Sequence, residues 1–234
     1  MSVADKLQTI AENQQAVFDA GYNKGLAQSG GDSNFWDVYQ NYGKRTDYSY
    51  AFRNWKSDIF KPKYPIKPAG DLGSGNMFYG FVHNGDFEEF LTNNGIVLDF
   101  SECPQMLYTY GYCTASKVPP LNLQNCKKMQ ATFVQTNLAE LTLNNLRSDC
   151  TFDVTFIRSY YLKKLTITGT IGQNGFNVTD CPLNTDSLLN ILNCLATNGA
   201  GKTITLGATN KKTLTDAGHS DKIAAAEAKG WTVA

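Results

Sequence analysis

The sequence predicts an α+β repeat protein, a parallel β solenoid with an N-terminal helix and helical insertions. Two observations favour this fold class. A short strand-like pattern of alternating apolar residues recurs along residues 76–234, and helical patterns precede and interrupt it. One such unit is too short to bury its own apolar side chains, so the units must stack and pair their strands in parallel.

The recurring unit is clearest in the stretch NLAELTLNNL, residues 137–146. Leu141 and Leu143 alternate in its middle, and Leu138 and Leu146 lie three residues outside them. Alternation predicts a strand with one buried face, and the outer leucines predict apolar bends at its ends. This spacing is the L-x-x-L-x-L-x-x-N/C pattern of a leucine-rich repeat, whose period is about 20 to 29 residues.

The pattern occurs six times, at steps of 23, 20, 24, 39 and 27 residues. The first apolar residues of the alternating pairs are Leu98, Leu121, Leu141, Leu165, Ile204 and Trp231. The residue inside each pair is expected to face outward on an exposed, threonine-rich sheet face. These residues are Asp99, Asn122, Thr142, Thr166, Thr205 and Thr232.

The two longest steps are expected to contain helices. The stretch NTDSLLNILNCLATNG has an apolar stripe at helical spacing, with Thr185 or Asp186 as its N-cap. A second helix is predicted from about residue 215 to residue 229, with Asp216 as its cap and Gly230 after its end.

Three regions follow from these patterns: a helix over 1–30, an aromatic-rich connector over 31–75, and the repeats with a C-terminal cap over 76–234. The first region carries a heptad seam, which predicts that the helix packs on copies of itself. An alternative is that this helix docks on its own repeats. The predicted oligomerisation residues are Val3, Leu7, Ile10, Gln14 and Val17.

The chain resembles leucine-rich-repeat-like proteins encoded by phages and prophages of gut Firmicutes. The resemblance rests on IVLDFSEC, LKKLTITGTIGQNGFNV, SLLNILNCL, KTITLGATN and KGWTVA, and on N-terminal segments such as FWDVYQNYGKRTDYSYAF. It implies a virion protein, a tail or baseplate appendage, and it brings no catalytic residues. For such an appendage the resemblance also implies three-fold symmetry, so we expect the self-associated form to be a trimer. The 20-residue step between the second and third repeats departs from a regular solenoid.

Charge and composition argue against some classes of partner. The formal net charge is zero, which argues against a nucleic-acid binder with a basic face. The sequence has no run of about 18 apolar residues and no N-terminal secretory signal, so we expect no membrane insertion and synthesis in a bacterial cytoplasm. The expected partners are the protein itself and either other virion proteins or a host cell surface.

No residue pattern predicts catalysis, a cofactor or a metal. His83 and His219 are expected at the surface, and Asp86, Glu88 and Glu89 fit the first turn of a helix better than a glycosidase pair. The six cysteines lack C-x-x-C spacing and are expected to be reduced and buried.

The candidate contact surface is the stretch LYTYGYC, which would place Tyr108, Tyr110 and Tyr112 on one side if it were extended. Packing against the back of the repeats is the alternative for these rings. Together with the resemblance to phage-encoded proteins, these patterns favour a non-enzymatic binding protein of a phage virion, with host attachment as one role. The alternatives are a monomeric bacterial or prophage interaction protein and, less favoured, a glycan hydrolase.

Overall fold

The regular structure of the described residues consists of eight short strands, four helices and one 3-10 turn. The computed structural model describes Tyr48 and residues 51–60, 62, 65–69 and 74–234. The strands are β1 Gln105–Leu107, β2 Leu121–Asn122, β3 Lys128–Gln130, β4 Glu140–Leu146, β5 Thr151–Asp153, β6 Lys164–Gly169, β7 Lys202–Ile204 and β8 Trp231–Val233. The helices are α1 Phe87–Asn93, α2 Thr185–Asn193, α3 Ala208–Asp216 and α4 Ser220–Ala228, and Ser57–Ile59 form one 3-10 turn.

The strands form three separate sheets, in the orders β1-β3-β5, β2-β4-β6 and β7-β8, and every pairing is parallel. In the first sheet Met106 pairs with Met129, and Met129 pairs with Phe152. All three side chains are buried between more exposed neighbours. The alternation of period two therefore points one side of each strand into the core.

The predicted parallel β solenoid is wrong. Across the described ranges the strands make three small parallel sheets accompanied by four helices, and no continuous solenoid runs through them. The second sheet ends at β6 because a helix follows it in space. Leu165 N–H donates to Ser187 Oγ at 2.9 Å and Ile167 N–H donates to Asn190 Oδ1 at 2.7 Å, so side chains of α2 occupy the strand edge.

The strand register offsets some of the alternating pairs. Leu121 pairs with Leu143 and not with Leu141, and Trp231 pairs with Lys202 while Val233 pairs with Ile204. Each offset is of two residues, so the alternating side chains still face the core. The predicted alternation is confirmed at these positions, because all the apolar residues named here are buried.

The helices partly match the sequence pattern. The cap of α2 is Asn184, one residue before the predicted caps, and its side chain accepts a hydrogen bond from Ser187 N–H at 2.9 Å. The single helix predicted over about 215–229 is instead the end of α3 followed by α4. Gly218, with a φ of 81°, lies in the break between them.

All described residues belong to one compact unit, Thr46–Ala234. The predicted N-terminal helix, its heptad residues and most of the predicted connector lie outside the described residues. None of the helices in the described part has the length and apolar character needed to cross a membrane.

Candidate binding surface

Tyr108, Tyr110 and Tyr112, the predicted contact residues, lie in one of four similar turns that pack side by side. We call residues 76–80, 108–112, 131–135 and 154–158 the turn layers. Their backbones are joined by hydrogen bonds in register: Phe78 N–H donates to Thr109 O at 2.7 Å, Tyr110 N–H to Thr132 O at 2.9 Å, and Phe133 N–H to Thr155 O at 2.9 Å. Corresponding residues of successive layers therefore lie side by side.

Each layer sends one ring inward. Phe78 stacks on Tyr110 with ring centroids 5.2 Å apart, Tyr110 on Phe133 at 6.0 Å, and Phe133 on Phe156 at 5.6 Å, with interplanar angles of 11°, 8° and 13°. Phe52 extends this column before the first layer, with its centroid 5.4 Å from that of Phe78. We call the five rings the aromatic ladder, and each is fully buried or nearly so. It gives the layers a common core.

Buried hydroxyl groups tie the layers together beside the ladder. Thr132 Oγ1 donates to Met106 O at 2.6 Å, Thr155 Oγ1 donates to Met129 O at 2.8 Å, and Ser159 Oγ donates to Phe133 O at 2.6 Å. These bonds satisfy carbonyl groups that water cannot reach. The recurring dipeptides Thr-Tyr at 109, Thr-Phe at 132 and Thr-Phe at 155 are the sequence signal of this arrangement, and the leucine pattern does not include them.

The outward side of the layers carries three tyrosines, Tyr79, Tyr108 and Tyr112, which we call the tyrosine surface. The centroid of the Tyr79 ring lies 5.0 Å from that of Tyr112 and 6.2 Å from that of Tyr108. Tyr108 is 37% exposed and Tyr112 is 40% exposed, whereas Tyr79 is half-buried between them. The guanidinium carbon of Arg53 lies 4.7 Å from the centre of the Tyr79 ring.

Gly111 makes room for the central ring. A side chain at this position would place its Cβ 3.1 Å from Tyr79 Cδ2 and 3.0 Å from Val134 Cγ1. Glycine therefore leaves room for Tyr79 beside this layer. Burial raises the pKa of the Tyr79 phenol, and the neighbouring Tyr112 raises it further although Arg53 opposes the change. The phenol is accordingly a neutral hydrogen-bonding group at physiological pH.

The structure separates the three tyrosines of the predicted contact surface. Tyr108 and Tyr112 lie on the outside with left-handed φ values of 53° and 58°, while Tyr110 is completely buried in the aromatic ladder. The prediction of one exposed row is wrong for Tyr110, because the segment forms turns and not an extended strand. Tyr79 was missed, since only the pairing of Phe78 with Tyr110 reveals that it lies beside this segment.

Other candidate groups have local structural contacts. His83 is half-buried, its Nδ1 lies 2.9 Å from Ser57 Oγ, and its ring lies against Phe87 and Phe90. Lys117 Nζ lies 3.4 Å from an Asp86 oxygen and 2.8 Å from a Glu88 oxygen.

Asp86 also caps α1, accepting a hydrogen bond from Glu89 N–H at 3.0 Å, so the acidic stretch begins a helix as predicted. The six cysteines are free thiols, and all but Cys194 are buried. Within the described residues no three His, Cys, Asp or Glu side chains are grouped as metal ligands would be. The predicted oligomerisation residues lie outside the described part of the chain.

Comparison with protein families, with curated proteins and with solved structures finds no match to this chain.

Proposed function

We propose that this protein is a non-enzymatic binding protein and that the tyrosine surface contacts its partner. The observation that carries the proposal is the placement of two exposed tyrosines, Tyr108 and Tyr112, on left-handed backbone. A positive φ is unfavourable for bulky residues, and glycine or asparagine is the usual choice. All four turn layers have positive φ at the corresponding positions, which are occupied by Asn76 and Gly80, Ala131 and Gln135, and Val154 and Arg158 in the other three. Tyr108 and Tyr112 differ from these residues in presenting exposed aromatic rings there, and this difference supports a role for their side chains.

The chemistry of the rings supports a contact role. Tyrosine offers a large amphipathic surface while losing little conformational freedom, and it is enriched in protein contact surfaces. Here the rings project from turns that are hydrogen-bonded to one another and that share the aromatic ladder as their core, so the backbone beneath them is held in place. Such a preorganised surface loses little conformational entropy when it binds a partner.

The biological setting that we propose is a phage virion. The resemblance of the sequence to phage-encoded proteins supports a tail or baseplate appendage whose partner is a host cell surface or a neighbouring virion protein. The virion assignment rests on this resemblance, whereas the contact role rests on the geometry of the tyrosine surface.

Binding of fluorescently labelled full-length protein to a panel of gut Firmicutes cells tests the contact role. We expect the double variant Tyr108→Ser with Tyr112→Ser to bind with at least tenfold lower affinity to any strain that the natural protein binds. The matched control is Tyr160→Ser with Tyr161→Ser, which removes two tyrosines that are 59% and 60% exposed outside the tyrosine surface. Equal loss in both double variants would contradict a specific role for Tyr108 and Tyr112.

We also propose that the protein self-associates through the heptad seam of residues 1–30, with three copies together. The alternation of three- and four-residue steps from Val3 to Val17 supports self-association, and the resemblance to tail appendages supports three copies. Light scattering on a sizing column is expected to give a trimer mass, which Leu7→Asp with Ile10→Asp reduces to one copy. A single-copy mass for the natural chain would instead favour the monomeric interaction protein.

A further inference from the structure

We propose that the tyrosine surface binds a neutral carbohydrate. This inference rests on the proposed contact role and names the chemical class of its ligand. Tyr108 and Tyr112 expose 37% and 40% of their surface on either side of the half-buried Tyr79. Aromatic rings present an apolar face with a polar hydroxyl at the edge. A sugar ring whose hydroxyl groups are equatorial has flat C–H faces that can lie on such a ring.

Amide side chains are positioned beside the tyrosines by the register of the layers. Asn76 N–H donates to Leu107 O at 2.6 Å, which places Asn76 alongside Tyr108, and Tyr112 N–H donates to Val134 O at 2.8 Å, which places Gln135 alongside Tyr112. Asn54 lies against Gly80, where its Oδ1 occupies the space of a Cβ.

The three amides of Asn54, Asn76 and Gln135 are available to a ligand. None of them makes a side-chain hydrogen bond to any residue that the structure describes. An amide presents two donors and an acceptor in one plane, which suits the adjacent hydroxyl groups of a sugar. The tyrosine surface thus combines rings for stacking with neutral hydrogen-bond donors and acceptors. Binding sites for polar small molecules usually combine apolar and polar groups in this way.

The lack of charged side chains in the turn layers around Tyr108 and Tyr112 favours a neutral ligand. The first three turn layers, residues 76–80, 108–112 and 131–135, contain no Asp, Glu, Lys or Arg. The cation beside them, Arg53, lies over the Tyr79 ring. Within the three layers themselves a charged glycan would find no side chain of opposite charge, whereas a neutral one needs none.

A protein partner would be expected to use the apolar side chains farther along the same face. Val154 and Ile157 are 44% and 42% exposed, but they belong to the fourth turn layer and are separated from Tyr108 and Tyr112 by the layer at 131–135. In that intervening layer Ala131 and Val134 are buried. The exposed rings and their amides therefore form a small patch, of the size of a few sugar rings.

Titration calorimetry and saturation-transfer NMR on the full-length protein test the inference, with cellotetraose and chitotetraose as neutral probes and tetragalacturonate as the anionic probe. We expect saturable binding of at least one neutral probe and at least tenfold weaker binding of tetragalacturonate. Tyr108→Ser and Tyr112→Ser should each weaken binding of that neutral probe at least tenfold, and Gln135→Ala several-fold. Tyr160→Ser should leave it unchanged, and thermal unfolding verifies that each variant is folded.

The outcomes separate this inference from the contact role. If neither neutral probe binds, or if Tyr108→Ser binds as the natural protein does, the carbohydrate inference is overturned. If cells are still bound and that binding is lost with Tyr108→Ser and Tyr112→Ser, the contact role stands and the partner is a protein. If a neutral probe binds through the tyrosines while no cell of the panel is bound, the inference stands and the proposed host contact fails.

Discussion

The ring of Phe133 stacks on the ring of Phe156, with centroids 5.6 Å apart and planes 13° from parallel. The two residues are 1% exposed each and occupy equivalent places in successive turn layers. This contact repeats the one between Tyr110 and Phe133, so the middle ring is covered on both faces. The layers are thus held together by rings as well as by backbone hydrogen bonds.

Removal of the middle ring is expected to destabilise the protein strongly. Phe133→Ala should lower the free energy of unfolding by about 3–5 kcal/mol, because it removes a buried ring and leaves a cavity between two others. Denaturant unfolding measures this change, and Phe133→Leu should cost clearly less. Tyr161→Ala is the surface control, with an effect within about 0.5 kcal/mol. A loss for Phe133→Ala no larger than for this control would contradict the importance of the ladder.

Two buried threonines are expected to respond oppositely to the same substitution. Thr132 Oγ1 donates to Met106 O at 2.6 Å, so Thr132→Val should cost about 1–3 kcal/mol by removing the partner of a buried carbonyl. Thr136 Oγ1 is buried and has no hydrogen-bond partner among the described residues. Thr136→Val should therefore leave the free energy of unfolding unchanged or raise it. Equal losses in the two variants would show that this hydrogen bond adds nothing.

The contact between β4 and β6 is expected to require glycine at Gly169. This residue has a φ of 102°, and a Cβ there would collide with the backbone of Leu146. Gly169→Ala should cost about 3 kcal/mol or more, because the neighbour is backbone and cannot move aside. Gly95→Ala is the control, since Gly95 has a φ of 63° and open space around it. It should cost only about 1–2 kcal/mol, the ordinary penalty of left-handed backbone.

Alkaline pH is expected to weaken the fold through the buried thiols. Burial raises the pKa of Cys103 to about 11 and the pKa values of Cys113 and Cys181 to about 12. In the unfolded chain these thiols ionise near their ordinary pKa of 9.0. The folded state favours the neutral thiol, so its stability is complete below pH 9 and falls as the pH rises towards 11–12.

Urea midpoints measured between pH 7 and pH 11 should show this decline, and Cys113→Ala should make it shallower than in the natural protein. Alkylation of the folded protein at pH 8 offers a second measurement. The half-buried Cys194 should react first, because the other five thiols are buried. Rapid labelling of Cys113 in the folded protein would contradict its burial.

The sequence predicted local features well where one short segment decides them. Alternation identified the buried faces at Leu121, Leu141 and Leu165, and the acidic stretch after Gly85 identified the start of α1. These features depend on the side-chain periods of two and 3.6 residues, which the chain carries within itself. The solenoid prediction failed because it assumed that each strand is followed in space by another strand, whereas Ser187 and Asn190 of α2 bond the edge of β6.

The sequence by itself determined which apolar residues are buried along β2, β4, β6, β7 and β8 and that these strands pair in parallel, but it did not predict β1, β3 or β5. Only the tertiary structure decided that Tyr108 and Tyr112 face outward, that Tyr110 faces inward, and that Tyr79 joins the first two. The reason is that these orientations depend on left-handed turns at residues 108 and 112. Such turns are stabilised by hydrogen bonds to a layer 23 residues farther along the chain, as between Tyr110 and Thr132. A local pattern does not contain that partner.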